Sequence, residues 1–266
     1  MIDIGLNLSN NQFSNDMGLV LERAFASGLK AMVLTGTDLD SSTESARICE
    51  KYSEQYPQQL FSTAGLHPHD AKDWNSDLSD HLEVLLKLPK VLAVGETGLD
   101  FNRDFSPRDK QIKAFEGQLE LAANSGLPLF LHERDAFSTQ IEILRSHRDH
   151  FEHAVIHCFT GDKAALFAYL DLDLHIGITG WVCDERRGAD LAALVPNIPL
   201  HRLMIETDAP YLLPRNIVPK PKSRRNEPAY LKWVIQKIAE CYEMEQQEIS
   251  QRSTANAQAF FGLASD

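Results

Sequence analysis

Short apolar runs alternate with helical segments along this whole chain, and that alternation constrains the fold more than any other feature. The first run, Ile2 to Leu8, alternates apolar with polar residues, and a helical pattern from Phe13 to Ser27 follows it and stops at Gly28. Eight such units in 266 residues give about 33 residues per unit. This size predicts an α/β protein, a TIM-type (β/α)8 barrel in which residues 1–266 form a single catalytic domain.

The later units follow the same pattern. Strands are predicted over 31–35, 60–66, 91–100, 175–179 and 203–206, and in two runs that end at His132 and His157; helices are predicted over 42–55, 78–88, 107–125, 137–147, 163–170, 189–195 and from Glu227 to Cys241. The tail is predicted to contain a turn near Gln246 and a helix from Thr254 to Phe261. An open, doubly wound sheet is the alternative architecture.

Acids and histidines come directly after several apolar runs, namely Glu96, His132, His157 and Asp208. Their separations of 36, 25 and 51 residues (132 − 96, 157 − 132, 208 − 157) each approximate one or two strand–helix units. Only a closed barrel brings the carboxyl ends of so many strands together, so we expect these side chains to converge. Two imidazoles with carboxylates suit Zn²⁺, Mn²⁺ or Fe²⁺ and tolerate Mg²⁺. Taken singly, each residue also has a structural interpretation as a hydrogen-bonded histidine or a helix cap.

Composition limits the partners. The chain has 26 Lys and Arg against 38 Asp and Glu, for a net charge of −12, which argues against a protein that coats nucleic acid through a broad basic face. No apolar run is long enough to span a bilayer, and the first residues do not resemble a signal peptide. The four cysteines form no CxxC pair. We therefore expect a cytoplasmic protein that has reduced thiols, does not contact membranes and is a monomer.

The strand-end residues lie in stretches that resemble the TatD family of metal-dependent deoxyribonucleases. The matching stretches cover the chain in order and are Gly65–His69, Gly95–Asp100, His132–Arg134, His157–Gly161, Glu206–Pro210 and Arg225–Pro228. The resemblance implies a barrel of the metal-dependent amidohydrolase type. It also implies a divalent-metal-dependent nuclease with a role in DNA repair, a 3′-to-5′ exonuclease on single-stranded DNA and RNA ends, in which metal-activated water attacks the phosphodiester.

Carried onto matching positions, the resemblance implies that Glu96, His132 and His157 are metal ligands and that Asp208 is a ligand or the base for the attacking water. Glu96 and Asp208 are thus the catalytic candidates. The wider family begins with Asp-x-His-x-His, whereas this chain has Gly5 and Asn7 at the two histidine positions. Asn7 offers only a weak amide ligand. We expect one firm site for a divalent metal, with Mg²⁺ as the first candidate and Mn²⁺ or Zn²⁺ as alternatives, and a second site that is weak or absent.

Other polar residues are suited to binding the phosphates of a nucleic-acid substrate. His67 is predicted to contact a substrate phosphate as a protonated, positively charged imidazole, with a structural role beside Pro68 as the alternative. Arg134 is predicted either to pair with a phosphate or to hold Glu96 or Asp100 in place. A dense basic segment after the eighth strand places Lys222, Arg224 and Arg225 as nucleic-acid contacts, although a solvated loop explains it nearly as well.

Two rival functions remain open on the sequence. The same barrel supports hydrolases of small amides or esters, including aminoacyl-tRNA esters. A nucleic-acid-binding protein with weakened catalysis is the non-enzyme alternative, because the first strand lacks its histidines.

Overall fold

The computed structural model describes residues 1–264. Within that range eight strands alternate with helices, as predicted. The strands are Ile2–Leu6 (β1), Ala31–Leu34 (β2), Leu60–Ala64 (β3), Val91–Asp100 (β4), Leu129–Arg134 (β5), Ala154–Ile156 (β6), His175–Ile178 (β7) and Leu203–Ile205 (β8). The helices are Met17–Ala26 (α1), Leu39–Lys51 (α2), Ser76–Leu86 (α3), Arg108–Ser125 (α4), Phe137–Ser146 (α5), Lys163–Asp171 (α6), Ala189–Leu194 (α7), Leu231–Tyr242 (α8) and Gln246–Phe261 (α9).

The strands form one sheet in chain order, from β1 to β8. The described pairings of β3 with β4, β4 with β5, β5 with β6 and β7 with β8 are all parallel. The segments that follow β8 and β1 also meet, because Asp208 N donates to Gly5 O at 2.9 Å and Asn7 N donates to Ala209 O at 2.7 Å. This order, with a helix after each strand, is that of a (β/α)8 barrel, so the predicted fold class is confirmed.

Local chemistry accounts for where several helices begin and end. Asp38 caps α2 in a capping box with Ser41, and the Asn75 side chain accepts from Leu78 N at the start of α3. Gly126 ends α4 in the left-handed conformation, as the sequence predicts. Most boundaries therefore differ from the sequence prediction by only a few residues.

The tail differs from the prediction. The predicted turn near Gln246 is instead the first turn of α9, which is continuous from Gln246 to Phe261. The polar stretch in its middle hides the helical period, although Ile249, Ser253 and Ala257 recur every four residues and are all buried. Ser253 Oγ donates to Ile249 O at 2.9 Å, which lets a polar residue sit on the buried face.

Contacts along the chain divide it into two compact units. The terminal unit comprises Met1–Val33, Cys158–Leu166 and the part from Ile176 onward, and the central unit comprises Leu34–His157 and Phe167–His175. Each unit has strands whose residues are almost all buried. Among residues 1–264, no helix is both long and apolar enough to cross a membrane.

Candidate metal centre

Glu96 lies at an irregularity in β4 of the central unit. Val94 pairs with Leu129 and Thr97 with Leu131, so β4 has one residue more than β5 over this stretch. Such a bulge redirects a side chain and is frequent beside active sites. The flanking glycines are needed because a Cβ on Gly95 would lie 2.2 Å from Phe130 O and one on Gly98 would lie 2.0 Å from His132 O. The Gly-Glu-Thr-Gly sequence thus allows β5 to approach closely while Glu96 projects from the bulge.

Three imidazole rings meet at one oxygen of Glu96, and these four residues are called the Glu96 cluster. His132 Nδ1 lies 2.9 Å from Glu96 Oε1, His157 Nε2 lies 3.1 Å from it and His67 Nε2 lies 3.4 Å from it. Glu96, His67 and His157 are buried, and His132 is partly buried. The structure therefore brings together Glu96, His132 and His157, as the sequence predicts, and adds His67 to them.

His67 acts as a hydrogen-bond donor toward this cluster. Its Nδ1 accepts from the backbone N–H of His69 at 3.1 Å, so Nδ1 carries no proton. A neutral ring then has its proton on Nε2, which lies 3.3 Å from His132 Nδ1 and 3.4 Å from Glu96 Oε1. A protonated Nε2 offers an N–H rather than a lone pair. This tautomer favours contact with an anionic oxygen over metal ligation.

Asp100 forms a second layer of contacts that the sequence left without a definite role. Its Oδ2 lies 2.9 Å from His69 Nε2 and 3.3 Å from His132 Nε2. Its Oδ1 accepts from the backbone N–H groups of Asn102 and Arg103 at 3.0 and 2.8 Å. The sequence contained a signal for this role, because Asp100 is an acid at the end of the strand that also carries Glu96. Asp100 therefore links two histidines and orients the imidazole that contacts Glu96.

The protonation equilibria of the cluster favour positive charge at its centre. Burial raises the pKa of Glu96, but the neighbouring charges of His157 and His67 and hydrogen bonds from the imidazoles outweigh it and hold that pKa well below its ordinary value. Burial lowers the pKa of His132, but hydrogen bonds to Asp100 and Glu96 reverse the shift and raise it. Burial lowers the pKa of His67 to about 4, which keeps that ring neutral near pH 7. The ionised carboxylates thus stabilise a cation between them.

The donor set fits a divalent metal ion. A ligand atom of Glu96 and one of His132 lie within 4.8 Å of each other and of a nitrogen of His67, and His157 Nε2 lies 3.1 Å from Glu96 Oε1. His132 Nε2 is buried and lies 3.3 Å from Asp100 Oδ2, so this ring places one nitrogen beside each of the two carboxylates. Imidazole nitrogens and carboxylate oxygens together suit Zn²⁺, Mn²⁺ or Fe²⁺, and the carboxylates suit Mg²⁺.

Asp208 and Asn7 lie together in the terminal unit. Asn7 Nδ2 donates to Asp208 Oδ1 at 3.0 Å, and Asp208 adopts a φ of 53°, in the left-handed region. The Asn7 amide thereby contacts the predicted proton acceptor through its nitrogen. The roles of Asp208 as ligand or base and of Asn7 as a weak second-metal ligand stay predictions.

A buried acid holds the segment that carries Asp208. Asp3 Oδ1 accepts from Thr207 N at 2.9 Å, and Asp3 Oδ2 accepts from Thr207 Oγ1. Asn226 Nδ2 donates to Thr207 O at 2.9 Å. Asp3 shares one face of its strand with Asn7, a pattern visible in the alternation of the first run, but its partner Thr207 is 204 positions away and is visible only in the fold.

The basic segment divides into partnered and exposed cations. Arg225 is bound by Asp16 Oδ2 at 2.7 Å and by Glu227 Oε1 at 2.7 Å, and its side chain is only 16% exposed. Lys222 and Arg224 are exposed. Contact of these three residues with nucleic acid stays a prediction, but the structure gives Arg225 a clear role in anchoring the segment to α1.

Arg134 is the last residue of β5 and is exposed. It stands opposite Asp100 in the register of the two strands. Its predicted contact with phosphate is compatible with this exposure and also stays a prediction.

Comparisons with known proteins agree with this geometry. The sequence profile of the family described as TatD related DNase matches residues 2–262. A protein of Edwardsiella piscicida named 3′-5′ ssDNA/RNA exonuclease TatD is 50% identical over 264 residues, covering 99% of this chain and 100% of its own. The solved TatD family hydrolase from Entamoeba histolytica superposes with a TM-score of 0.91 at 26% identity, covering 99% of this chain and 98% of its own. The TatD homologue YjjV from Escherichia coli superposes with a TM-score of 0.88 at 26% identity and the same coverage.

Proposed function

The chain belongs to the TatD related DNase family, and from that premise we propose that it is a metal-dependent 3′-to-5′ exonuclease that removes nucleotides from the ends of single-stranded DNA and RNA. The observation that carries the proposal is the meeting of three imidazoles at Glu96 Oε1. The similarity to named exonucleases over almost the whole chain supports the substrate class.

Glu96, His132 and His157 are the residues that would hold the metal ion, which we propose to be Mg²⁺. A bound divalent ion polarises a phosphoryl oxygen and lowers the pKa of water. Asp100 contributes by contacting His132 and His69, which fixes how the first ring faces Glu96. Asp208 would serve as a further ligand or accept the proton of the attacking water.

His67 Nε2–H would donate a hydrogen bond to a phosphoryl oxygen, since its tautomer presents an N–H on the side that faces Glu96. Because burial lowers the pKa of His67 to about 4, the ring is neutral near pH 7 and binds as a hydrogen-bond donor rather than as a cation. Arg134 would add a permanent positive charge for a substrate phosphate.

Digestion of end-labelled single-stranded and double-stranded DNA and RNA, with Mg²⁺, Mn²⁺ or Zn²⁺, tests the proposal. The expected result is stepwise shortening from the 3′ end of single strands, fastest with Mg²⁺ and abolished by chelation. Parallel assays on small esters, amides and aminoacyl-tRNA check the rival hydrolase chemistry. Turnover of an acyl substrate without cleavage of oligonucleotides would refute the proposal.

Metal content tests the composition of the site. We propose one firmly held ion per chain, because Gly5 and Asn7 replace the usual pair of first-strand histidines. Elemental analysis after extensive dialysis should give about one metal per chain, with Asn7→Ala unchanged. Two tightly held ions per chain would contradict the single firm site.

A further inference from the structure

Asp184, in the loop after β7, is a buried carboxylate shared by two arginines. Its side chain is only 4% exposed, and its Oδ2 lies 2.8 Å from Arg187 Nε and 3.0 Å from Arg215 Nε. Its Oδ1 accepts from the backbone N–H groups of Arg186 and Arg187 at 3.1 and 3.2 Å. These contacts satisfy both oxygens and fix the orientation of the carboxylate.

The two arginines come from different loops of the terminal unit and remain accessible. Arg187 follows β7 and Arg215 follows β8, and their side chains are 55% and 53% exposed. Each uses only its Nε on Asp184. Within residues 1–264, the terminal amino groups of these two side chains make no hydrogen bond. One carboxylate thus holds two guanidinium groups side by side, with one positive charge in excess.

The loops that carry this trio are tightly packed. A Cβ on Gly180 would lie 2.1 Å from Leu212 O, so the loops after β7 and β8 touch through their backbones. A Cβ on Gly188 would lie 2.1 Å from Trp181 O, which closes the loop that carries Asp184. The Trp181 indole also donates to Arg187 O at 3.1 Å, and the guanidinium of Arg187 lies 4.6 Å from its ring centroid. The arginines are therefore held in place before any ligand binds.

A purely structural bridge between the two loops would need only one arginine on Asp184. Hydrogen bonds from Arg187 are the main cause of the pKa of Asp184 falling to about 2, so the carboxylate is ionised throughout the physiological range. The second guanidinium leaves a net charge of +1 with unused, forked N–H donors. Such donors match the paired oxygens of a phosphodiester.

We infer that Arg187 and Arg215 bind one phosphodiester of the single-stranded substrate, and that Asp184 positions both guanidinium groups for it. The inference rests on the proposed function for the identity of the ligand. The loop after β8 carries both Arg215 and Asp208, so the bound phosphate belongs to a nucleic-acid strand that also reaches Asp208. Tyr211, half exposed in the loop after β8, offers a ring on which a neighbouring base can stack.

Binding of a fluorescent single-stranded DNA with phosphorothioate linkages, measured by anisotropy in Mg²⁺, tests the inference without turnover. The double variant Arg187→Ala with Arg215→Ala should bind about tenfold more weakly, and the slope of log Kd against log salt should fall by about 0.7 for the lost phosphate contact. Arg47→Ala with Arg252→Ala is the matched control. Both control arginines are 60% exposed and ion-paired on helices, and this double variant should keep the affinity and slope of the unmodified protein.

The variant Asp184→Asn separates positioning from charge. It makes the chain more positive, so long-range attraction alone predicts tighter binding. Loss of positioning predicts binding that is several-fold weaker. Arg187→Lys with Arg215→Lys, which keeps both charges but loses the forked donors, should also bind more weakly. Tighter or unchanged binding in either variant, with an unaltered melting temperature, would overturn the inference.

The two proposals fail in different ways. If the unmodified protein neither binds nor shortens single strands, the proposed function and this inference fall together. If it degrades single strands and the double alanine variant binds with the same Kd and the same salt dependence, only the inference is overturned.

Discussion

The Glu96 cluster of the central unit and the Asp3–Thr207 pair of the terminal unit both bury an acid on a strand, yet their charges differ. Glu96 is surrounded by imidazole nitrogens, which overcome burial and hold its pKa well below the ordinary range. Asp3 is surrounded by neutral donors from Thr207 and Gly5, and burial raises its pKa to about 8. The comparison shows that the neighbours of a buried acid, more than its burial, decide its charge.

This difference in charge distinguishes an acid with a functional role from an acid with a structural role. An ionised acid among histidines attracts a cation, whereas a protonated acid among neutral donors holds a backbone segment in place. Asp3 fixes Thr207, the residue directly before Asp208, so the terminal unit contains a positioned candidate base, and the central unit contains the residues that are predicted to bind metal. Substitutions at Glu96 and at Asp3 therefore test the two regions separately.

The largest effect is expected from Glu96→Gln, which removes the charge and keeps the shape. Nuclease activity should fall by about a thousandfold or more, since the imidazoles lose the anion that completes the donor set. His132→Ala should have a similar effect, with circular dichroism unchanged in both variants. Glu44→Gln, at a partly exposed carboxylate on α2, is the control and should keep full activity. Full activity in Glu96→Gln would refute the site.

Asp208→Asn is expected to lower kcat by about 10²- to 10⁴-fold, the range typical of a lost general base. Metal affinity, measured by calorimetry, should stay close to that of the unmodified protein if Asp208 acts mainly on the proton. A loss of metal equal to that in Glu96→Gln would instead assign Asp208 as an obligatory ligand.

The variant Asp3→Asn tests the protonation of Asp3 through its effect on the stability of the protein. The pKa of Asp3 is raised from 3.8 in the unfolded chain to about 8 in the folded protein. The folded state therefore keeps a proton that the unfolded state releases, and this group lowers the free energy of unfolding as pH rises from about 4 to about 8.

Asparagine resembles the protonated acid but does not ionise, so at this position the free energy of unfolding does not fall as the pH rises. In urea unfolding without metal, the variant should match the unmodified protein near pH 4 and exceed it in stability by more than about 1 kcal/mol near pH 8. A stability difference that does not depend on pH would show that Asp3 is ionised in the folded state.

The smallest effects are expected in the basic segment, which contains both ion-paired and exposed cations. Arg225→Ala breaks ion pairs with Asp16 and Glu227 and should lower the free energy of unfolding by about 1–2 kcal/mol. Lys222→Ala should change stability by less than about 0.5 kcal/mol.

A double variant of the two exposed cations tests nucleic-acid binding separately from stability. Combining Lys222→Ala with Arg224→Ala should weaken single-strand binding several-fold and flatten its salt dependence. Unchanged binding in that double variant would favour the interpretation of the segment as a solvated loop.

Much of the fold was predictable because its signals are local. The alternation of apolar runs with helical segments predicts eight strand–helix units, and Gly126 predicts where α4 ends. The tail helix was predicted too short because its buried face includes Ser253 and Thr254, and polar residues weaken the apolar period on which the prediction depends.

The site was predictable in its chemistry and only partly in its contacts. Glu96, His132 and His157 were predicted to converge because each follows an apolar run, and the structure brings them to one carboxylate oxygen. His67 follows β3, the strand before the one that carries Glu96, but its place in the cluster depends on a hydrogen bond from the His69 backbone and on ring orientation, which sequence spacing does not specify.

The order and type of residues are sufficient to predict a barrel with metal-ligand chemistry at its strand ends, because strand and helix periods and side-chain donors are properties of the residues themselves. The charge of each buried acid, the anchoring of Arg225 and the sharing of Asp184 by two arginines depend on partners brought close only by folding. Asp3 and Thr207 are 204 positions apart, and burial in the folded protein keeps Asp3 protonated despite the hydrogen bonds from Thr207, while Glu96, a similar acid on another strand, is ionised. Electrostatic energies depend on distances and on burial, so only the tertiary structure decides them.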